Sequence, residues 1–177
     1  HKHFYEIMRG LNNRKLYFDI DITEGPLPNA YGFHDDFSAI LIEAVAQLFE
    51  EDLFVDEICF TDSSTETKFS MHVVVPEMNT TIENMRFLFE IVSKALNKDE
   101  PYNGCMESSV YKSNQAVRML HCNKMGKSNT KALFKNSGFT EMETIVGYLQ
   151  DSKEIHLNPE IQQILDNRNE HKESRTV

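Results

Sequence analysis

Long apolar runs, paired cysteines and basic charge are all scarce in this chain of 177 residues. No apolar run approaches the roughly 20 residues that a helix needs to span a bilayer, so the sequence predicts no membrane span. The three cysteines are odd in number and widely spaced, which excludes a disulfide framework and suits a reducing, intracellular environment. Neither a Cys-x-x-Cys nor a His-x-x-x-His pair is present, so no structural zinc site is predicted.

The chain also lacks an excess of positive charge. It contains 18 Lys and Arg against 28 Asp and Glu, for a formal net charge of −10. A protein with a long basic groove for duplex DNA is usually basic, so the composition argues against that class. The acidic excess is uneven, because residues 111–135 contain no Asp or Glu but six cations: Lys112, Arg118, Lys124, Lys127, Lys131 and Lys135. We expect one locally positive face.

What the sequence does contain is an alternation of strand and helix periodicity, which predicts an α+β domain with a mostly antiparallel sheet flanked by helices. Strands are predicted at residues 15–22, 55–61 and 68–75, the last ending at Pro76, and a hairpin at residues 106–111 and 116–121. Helices are predicted at residues 1–10, 35–51, 140–150 and 157–167, and another is predicted to begin at a Thr80/Glu83 capping box. Residues 23–33 are predicted to form a loop.

Asp19 and Asp21 are the residues around which the functional argument is built. They lie in the predicted strand KLYFDIDI, where side chains two residues apart project from the same face. Two neighbouring carboxylates repel each other unless a cation lies between them, and Mg²⁺ or Mn²⁺ is the usual cation for oxygen ligands. A strand with a solvated acidic face would give the same pattern, so the pair alone does not decide between the two interpretations.

Lys68, Ser70 and His72 alternate along the predicted strand KFSMHVVV and therefore share one face. A lysine, a hydroxyl and an imidazole on one face suit a phosphate group, since they supply a charge and hydrogen-bond donors. A polar solvent-facing surface would again look the same.

A third region follows the second of these strands at some distance. Glu107 precedes the predicted hairpin and is a candidate third carboxylate of a metal site, or a plain surface residue. Arg118 and Lys124 lie on and after the second hairpin strand, where they would suit a triphosphate or a nucleic-acid backbone.

Taken together, these three motifs resemble those of the archaeo-eukaryotic primase superfamily, in the same order. Asp19-x-Asp21 matches its first motif, and Ser70-x-His72 matches its second. The third region matches through Glu107 before Val-Tyr, then Arg118 and the run KMGK at residues 124–127. The stretch from Val-Tyr to Gly-Lys is similar to that of eukaryotic primase-polymerases. The whole arrangement is similar to the primase domain of primase-helicases from poxviruses and other large cytoplasmic DNA viruses. The resemblance spans residues 15–127, and Glu107 departs from it because the family usually has Asp there.

The resemblance implies template-directed synthesis of primers on single-stranded DNA, through nucleotidyl transfer with two Mg²⁺ or Mn²⁺ ions. The metal ligands that it implies are Asp19, Asp21 and Glu107, and His72 joins them in the implied catalytic set. The implied nucleotide-binding residues are Lys68, Ser70, His72, Arg118 and Lys124. At the predicted hairpin tip, Asn114 and Gln115 would touch template or nucleotide.

The resemblance also implies partners and an organisation beyond this chain. The implied partners are single-stranded DNA, ribo- or deoxyribonucleoside triphosphates, and a helicase domain in the same full-length chain, with no membrane. We expect the chain to be a piece of a longer protein, with residues 1–150 as the primase domain and residues 151–177 as a C-terminal helix and linker toward a downstream region. The expected location is intracellular, in the host cytoplasm if the protein is viral.

Two other classes of function remain open on the residues themselves. A metal-dependent nuclease or another phosphotransferase would use the same carboxylates to cut a phosphodiester bond. A nucleic-acid-binding or interaction domain without catalytic activity would carry the acidic pair only as surface. Product growth that depends on nucleotides distinguishes a primase from the first class, and metal binding near Asp19 distinguishes it from the second.

Overall fold

A five-stranded sheet lies at the centre of the fold in the computed structural model, which describes residues 2–99, 101–136 and 138–173. The order β2-β4-β3-β6 is antiparallel throughout, and β7 joins the far end of β4 in parallel. These strands are β2 (Arg14–Ile22), β3 (Cys59–Asp62), β4 (Phe69–Thr80), β6 (Ala132–Leu133) and β7 (Lys153–Glu154). A separate antiparallel ribbon is formed by β1 (Tyr5–Met8) and β5 (Gln115–Arg118).

Two long helices flank the sheet, which confirms the predicted α+β class. The helices are α1 (Ala30–Phe49), α2 (Ile82–Leu96), the short α3 (Glu141–Thr144) and the C-terminal α4 (Pro159–Glu173). The α1 helix packs against the sheet face that carries Phe18, whose ring meets that of Phe37 at a centroid distance of 5.3 Å. Among the described residues, no helix is both long and apolar enough to cross a membrane.

The β2–β4 pair divides the sheet into an apolar face and a polar face. Phe18 and Ile20 are buried and lie opposite Val73 and Met71 of β4. The residues between them point the other way, so that Asp19 lies opposite His72, and Asp21 lies opposite Ser70. The predicted assignment of Asp19 and Asp21 to one face is therefore confirmed, as is the common face of Lys68, Ser70 and His72.

The β4 strand does not end at Pro76, as the sequence predicted, but continues to Thr80. Leu16 pairs with Val75, whereas the adjacent Lys15 pairs with Asn79, so residues 76–78 bulge out of the β2–β4 ladder. Proline has no N–H to donate and is tolerated at such a bulge. The proline therefore marks an irregularity inside the strand.

The predicted helix at residues 1–10 is wrong. Residues Tyr5–Met8 form β1 and pair with β5, with Tyr5 opposite Arg118 and Met8 opposite Gln115. The helical spacing of the apolar residues is overridden by pairing with a strand about 110 residues farther along the chain, which no local pattern reveals.

The predicted hairpin at residues 106–111 and 116–121 is also wrong. Ser108–Tyr111 is a 3₁₀ helix, and Tyr111 is buried, with its hydroxyl donating to the Tyr17 carbonyl at 2.7 Å. Because β5 pairs with β1, no hairpin tip exists at Asn114 and Gln115.

Other boundaries differ in smaller ways. The α1 helix begins at Ala30, inside the predicted loop, because the Asn29 side chain caps the N–H groups of Tyr31 and Gly32. Thr81, rather than Thr80, caps α2 through its hydroxyl. Val55–Glu57 is a 3₁₀ turn before β3, and the C-terminal helix begins at Pro159 and extends to Glu173.

The predicted helix at residues 140–150 shrinks to the four residues of α3. The Val146 N–H donates to the Glu6 carboxylate, and the Val146 carbonyl accepts from the Lys15 N–H. These bonds to β1 and β2 replace the helical ones.

The C-terminal segment contributes β7 and the buried Ile155 and Leu157. The proposed boundary at residue 150 stays a prediction, and residues 174–177 of that segment lie outside the described residues.

Candidate active site

A cavity of about 200 Å³ opens on the polar face of the β2–β4 pair. The β1–β5 ribbon and the segment of residues 124–131 form its other walls. Seven of the eight site residues predicted from the sequence line it: Asp19, Asp21, Lys68, Ser70, His72, Arg118 and Lys124. Three distant segments of the chain thus converge on one cavity.

Asp19 and His72 form a cross-strand pair at the base of the cavity. His72 Nε2 lies 3.2 Å from Asp19 Oδ1. Burial alone would raise the pKa of Asp19, but the hydrogen bond and charge of His72 and the charges of Lys131 and Lys68 lower it overall. Burial and the nearby Lys131 charge lower the pKa of His72, against the opposing effect of Asp19. At neutral pH the pair is therefore an ionised carboxylate that accepts a hydrogen bond from a neutral imidazole.

Asp21 and Lys68 form a second pair nearer the solvent. Lys68 Nζ lies 2.7 Å from Asp21 Oδ2, and both side chains are about one-third exposed. The other carboxylate oxygen, Asp21 Oδ1, is buried and has no hydrogen-bond partner among the described residues. A buried carboxylate oxygen without a partner is costly, unless a ligand binds there.

Ser70 is held in place from both sides. Its backbone N–H donates to Ser64 Oγ at 2.9 Å, and its hydroxyl accepts from Ser63 Oγ at 3.2 Å. Since the Ser70 hydroxyl still has its own proton to donate, it can offer one hydrogen bond into the cavity.

Arg118 and Lys131 line the cavity wall formed by β5 and the segment before β6. Arg118 is 9% exposed and donates from Nη1 to the Asn129 carbonyl at 3.0 Å. Lys131 is 2% exposed, and its Nζ donates to the Arg118 carbonyl at 2.8 Å. Burial, followed by the charge of Arg118, lowers the pKa of Lys131 to about 8. Lys124 lines the same wall but is exposed.

Sequence reasoning did not single out Lys131 as a site residue. It belongs to the acid-free run at residues 111–135, but nothing in that run distinguishes the buried lysine from the exposed ones. It also missed Tyr5, which lines the cavity from β1, because that segment was predicted to be a helix. Gln115 does line the cavity, as a strand residue rather than as a hairpin tip.

Glu107 is the predicted site residue that does not line the cavity. Its backbone N–H donates to the Asp19 carbonyl at 3.0 Å, so its main chain lies beside β2. Its carboxylate instead accepts from the Ser109 N–H at 2.8 Å, which lowers its pKa and caps the 3₁₀ helix Ser108–Tyr111. Its role as a metal ligand stays a prediction.

The donor set of the cavity fits a divalent metal ion in part. Asp19 and Asp21 project from one strand face into the same cavity, and the buried free oxygen of Asp21 is a ready ligand. Within the described ranges, no group of three or more His, Cys, Asp or Glu side chains is assembled that could hold a metal ion. The two aspartates would therefore provide the protein ligands, with the remaining positions left for water and substrate.

Comparison with known proteins gives a partial match. No family model matches the chain. The chain is similar to a DNA-directed primase/polymerase protein of Gallus gallus, with 33% identity over 86 residues. The aligned part is 46% of this chain and 15% of the chicken protein, so the chain spans a small part of the length of this curated relative. The similarity supports a relationship to primase-polymerases.

Proposed function

We propose that this chain is the nucleotidyl-transfer domain of a primase or primase-polymerase, which synthesises oligonucleotide primers on single-stranded DNA. The observation that carries the proposal is the cavity itself. It joins a pair of carboxylates on β2 with Lys68 just before β4, Arg118 of β5, and Lys124 and Lys131 of the segment before β6. A nucleoside triphosphate needs both kinds of group, because its phosphates are anionic and its metal ions prefer carboxylate oxygens. The similarity to a primase/polymerase supports the same function.

Asp19 and Asp21 would hold Mg²⁺ or Mn²⁺ in this function, and Glu107 would join them if its side chain turned away from Ser109. The bound metal would lower the pKa of the attacking 3′-hydroxyl and stabilise the pyrophosphate that leaves. The unpartnered Asp21 Oδ1 supports this role. Lys68 neutralises Asp21 in the free protein and would be released toward the phosphates when the metal binds.

The other cavity residues would bind the nucleotide. Arg118 and Lys124 supply positive charge for the triphosphate, and the Ser70 hydroxyl supplies a donor. Neutral His72 donates from Nε2 to Asp19, so its other ring nitrogen carries no proton and can accept a hydrogen bond from a sugar hydroxyl.

We further infer that the full-length protein is of the viral primase-helicase type, with a helicase domain following in the same chain. The order and form of the three motifs support this, as in the primase domains of large cytoplasmic DNA viruses. The location that goes with this type is the cytoplasm of the host cell.

Primer synthesis by the 177-residue chain tests the proposed function. The chain is incubated with single-stranded template, labelled nucleotides and Mg²⁺ or Mn²⁺. We expect labelled oligomers from the wild type, and none from the Asp19→Asn/Asp21→Asn double variant. Glu90→Gln is the matched control, since Glu90 is an exposed carboxylate of α2 paired with Lys94.

Three outcomes would contradict the proposal. Full primer synthesis by the double variant would show that the reaction does not need the two aspartates. Cleavage of the template without added nucleotide would instead identify a nuclease. Absence of product, together with absence of metal-dependent nucleotide binding, would leave an interaction domain.

A further inference from the structure

Lys131 is a buried lysine in the wall of the cavity, and its position is set by the backbone around it. Its N–H donates to the Cys122 carbonyl at 3.1 Å, and its carbonyl accepts from the His121 N–H at 2.8 Å. This pairing joins the segment before β6 to the segment after β5. The Lys131 side chain is therefore held between β5 and the floor of the cavity, with 2% of its surface exposed.

The ammonium group of Lys131 is incompletely satisfied. Its Nζ has three N–H donors and makes one hydrogen bond, to the Arg118 carbonyl, among the described residues. Among the residues that the structure describes, neither Lys131 nor Arg118 forms an ion pair with a carboxylate. Two adjacent cations are thus buried in one wall with no carboxylate of the described residues in ion-pair contact with either. Such an arrangement is unfavourable unless an anion binds there.

A second buried lysine shows that this fold can satisfy such a group internally. Lys15 is 3% exposed, and its Nζ donates to the carbonyls of Met142 and Glu143 at 3.1 and 3.0 Å. Its ammonium also lies 5.8 Å from the centre of the Tyr148 ring. Lys15 faces no part of the cavity that carries Asp19 and Asp21. The difference between the two lysines is that the one with fewer partners lines the cavity.

We propose that Lys131 is a further residue of the site at which Arg118 would bind the phosphate chain of a nucleotide, and that the Lys131 ammonium contacts the phosphates directly. The location of the phosphate chain in this cavity rests on the proposed function. The site itself is defined by two buried cations and needs only a polyphosphate. Anionic phosphate oxygens beside Lys131 would accept hydrogen bonds from its remaining N–H groups and place a negative charge in contact with its ammonium.

The electrostatic surroundings of Lys131 agree with this site. Burial, followed by the adjacent charge of Arg118, lowers the pKa of Lys131 to about 8. Glu6 of β1, Asp19 of β2 and Cys59 of β3 act in the opposite direction without compensating for these effects. A polyphosphate bound beside Lys131 would raise the pKa and keep the lysine charged.

The test measures binding of inorganic tripolyphosphate to the full 177-residue chain by titration calorimetry in EDTA, so that no metal bridges the anion to Asp19 and Asp21. We expect Lys131→Met to weaken binding at least tenfold. This tenfold loss of affinity corresponds to about 1.4 kcal/mol. Lys131→Arg keeps the charge, so its affinity for tripolyphosphate should stay within about threefold of that of the wild type. Lys94→Met, an exposed lysine on α2, is the control and should bind like the wild type.

A role for Lys131 as a tether of the Arg118 carbonyl alone predicts a different pattern. In that case Lys131→Met would lower the melting temperature and leave tripolyphosphate binding by the folded fraction unchanged, which would overturn the proposal. Unchanged binding in a fully folded Lys131→Met variant would overturn it as well. If Lys131→Met does not fold, the wild type decides, because failure of tripolyphosphate to raise its melting temperature excludes the site.

Binding without template or metal separates this site from the proposed reaction. If tripolyphosphate binding depends on Lys131 but the chain makes no primers, the anion site is supported and the proposed reaction is contradicted. If Lys131→Met makes primers with the same KM for nucleotide as the wild type, the anion site is contradicted and the proposed reaction is supported. If both hold, Lys131→Met should raise the KM for nucleotide at least tenfold.

Discussion

The two faces of the β2–β4 pair differ completely although their residues alternate along the same strands. On one face, Phe18 and Met71 are fully buried and pack toward α1. On the other face, Asp19, Asp21 and His72 line a cavity, and the buried Asp21 Oδ1 has no hydrogen-bond partner among the described residues. The apolar face is saturated with contacts, as a hydrophobic core requires. The polar face is left short of partners, which is the condition for binding something else.

The largest expected effect distinguishes these two faces by stability. Phe18→Ala should lower the free energy of unfolding by about 3–5 kcal/mol, because it leaves a cavity beneath the Phe37 ring. Asp19→Asn should change it by less than about 1 kcal/mol, because the amide oxygen still accepts a hydrogen bond from His72. Urea unfolding followed by circular dichroism measures both values.

The same pair of variants should reverse its order in activity. Asp19→Asn should reduce primer synthesis about 10³-fold at a temperature at which it is fully folded, since it removes a charge that the reaction needs. Equal losses of stability in the two variants, or full activity in Asp19→Asn, would contradict the division between a structural and a functional face.

The next effect compares the two buried lysines. Lys15→Met should lower the free energy of unfolding by about 1–3 kcal/mol, because it leaves the carbonyls of Met142 and Glu143 buried without a donor. Lys131→Met should lower it by less, because the loss of one hydrogen bond to the Arg118 carbonyl is offset by the removal of a buried charge that no carboxylate contacts. Melting temperatures of the two variants beside the wild type measure the difference.

The pH dependence of stability sharpens this comparison. The pKa of Lys131 is 10.5 in the unfolded chain and about 8 in the folded one, so the unfolded state binds more protons between these values. The stability of the wild type relative to Lys131→Met should therefore rise between pH 8 and pH 10.5. A constant difference across this range would show that Lys131 is not buried as a charged group.

A smaller effect is expected at His72, which pairs with Asp19 at the base of the cavity. His72→Ala should raise the KM for nucleotide about tenfold, a loss of about 1.4 kcal/mol, and change template binding less. The reason is that the imidazole, paired with Asp19, lines the cavity in which the nucleotide would bind. Steady-state kinetics with varied nucleotide concentration measure the KM, and fluorescence anisotropy measures template binding. An unchanged KM would show that His72 does not contact the nucleotide.

The smallest effect is expected at Glu107, whose carboxylate caps a 3₁₀ helix outside the cavity. Glu107→Gln keeps an oxygen acceptor for the Ser109 N–H, so stability should change by less than about 0.5 kcal/mol. Primer synthesis should fall by no more than about tenfold, far less than in Asp19→Asn. A loss as large as that of Asp19→Asn would show that Glu107 turns into the cavity as a third metal ligand.

Much of the candidate site followed from local pattern. The positions of Asp19 and Asp21, and of Ser70 and His72, were predicted because strand alternation is a local property. The pairing of β2 with β4, which places the two motifs opposite each other, was not predicted, because it depends on the order of strands in the sheet. The position of Glu107 was not predicted either, because a side-chain cap of a 3₁₀ helix depends on rotamer and local backbone that spacing does not reveal.

The errors in the predicted fold share one physical cause. At residues 1–10, 106–121 and 140–150, apolar spacing favoured a helix or a local hairpin, but hydrogen bonds to distant segments decided the backbone. Val146, for example, bonds to Glu6 and Lys15 rather than to its own helical neighbours. Local periodicity describes a segment in isolation and contains no term for a partner more than a hundred residues away.

The sequence by itself determined the α+β class, the central strands and the order of the acidic, Ser-x-His and basic motifs, because each depends on residues close together in the chain. Only the tertiary structure decided that β1 pairs with β5 and that the cavity is closed by this ribbon. It also decided which two of the six cations in an acid-free run, Arg118 and Lys131, are buried in the cavity wall. Burial and unsatisfied charge are properties of packed surroundings, and Lys131 acquires them only when three distant segments come together.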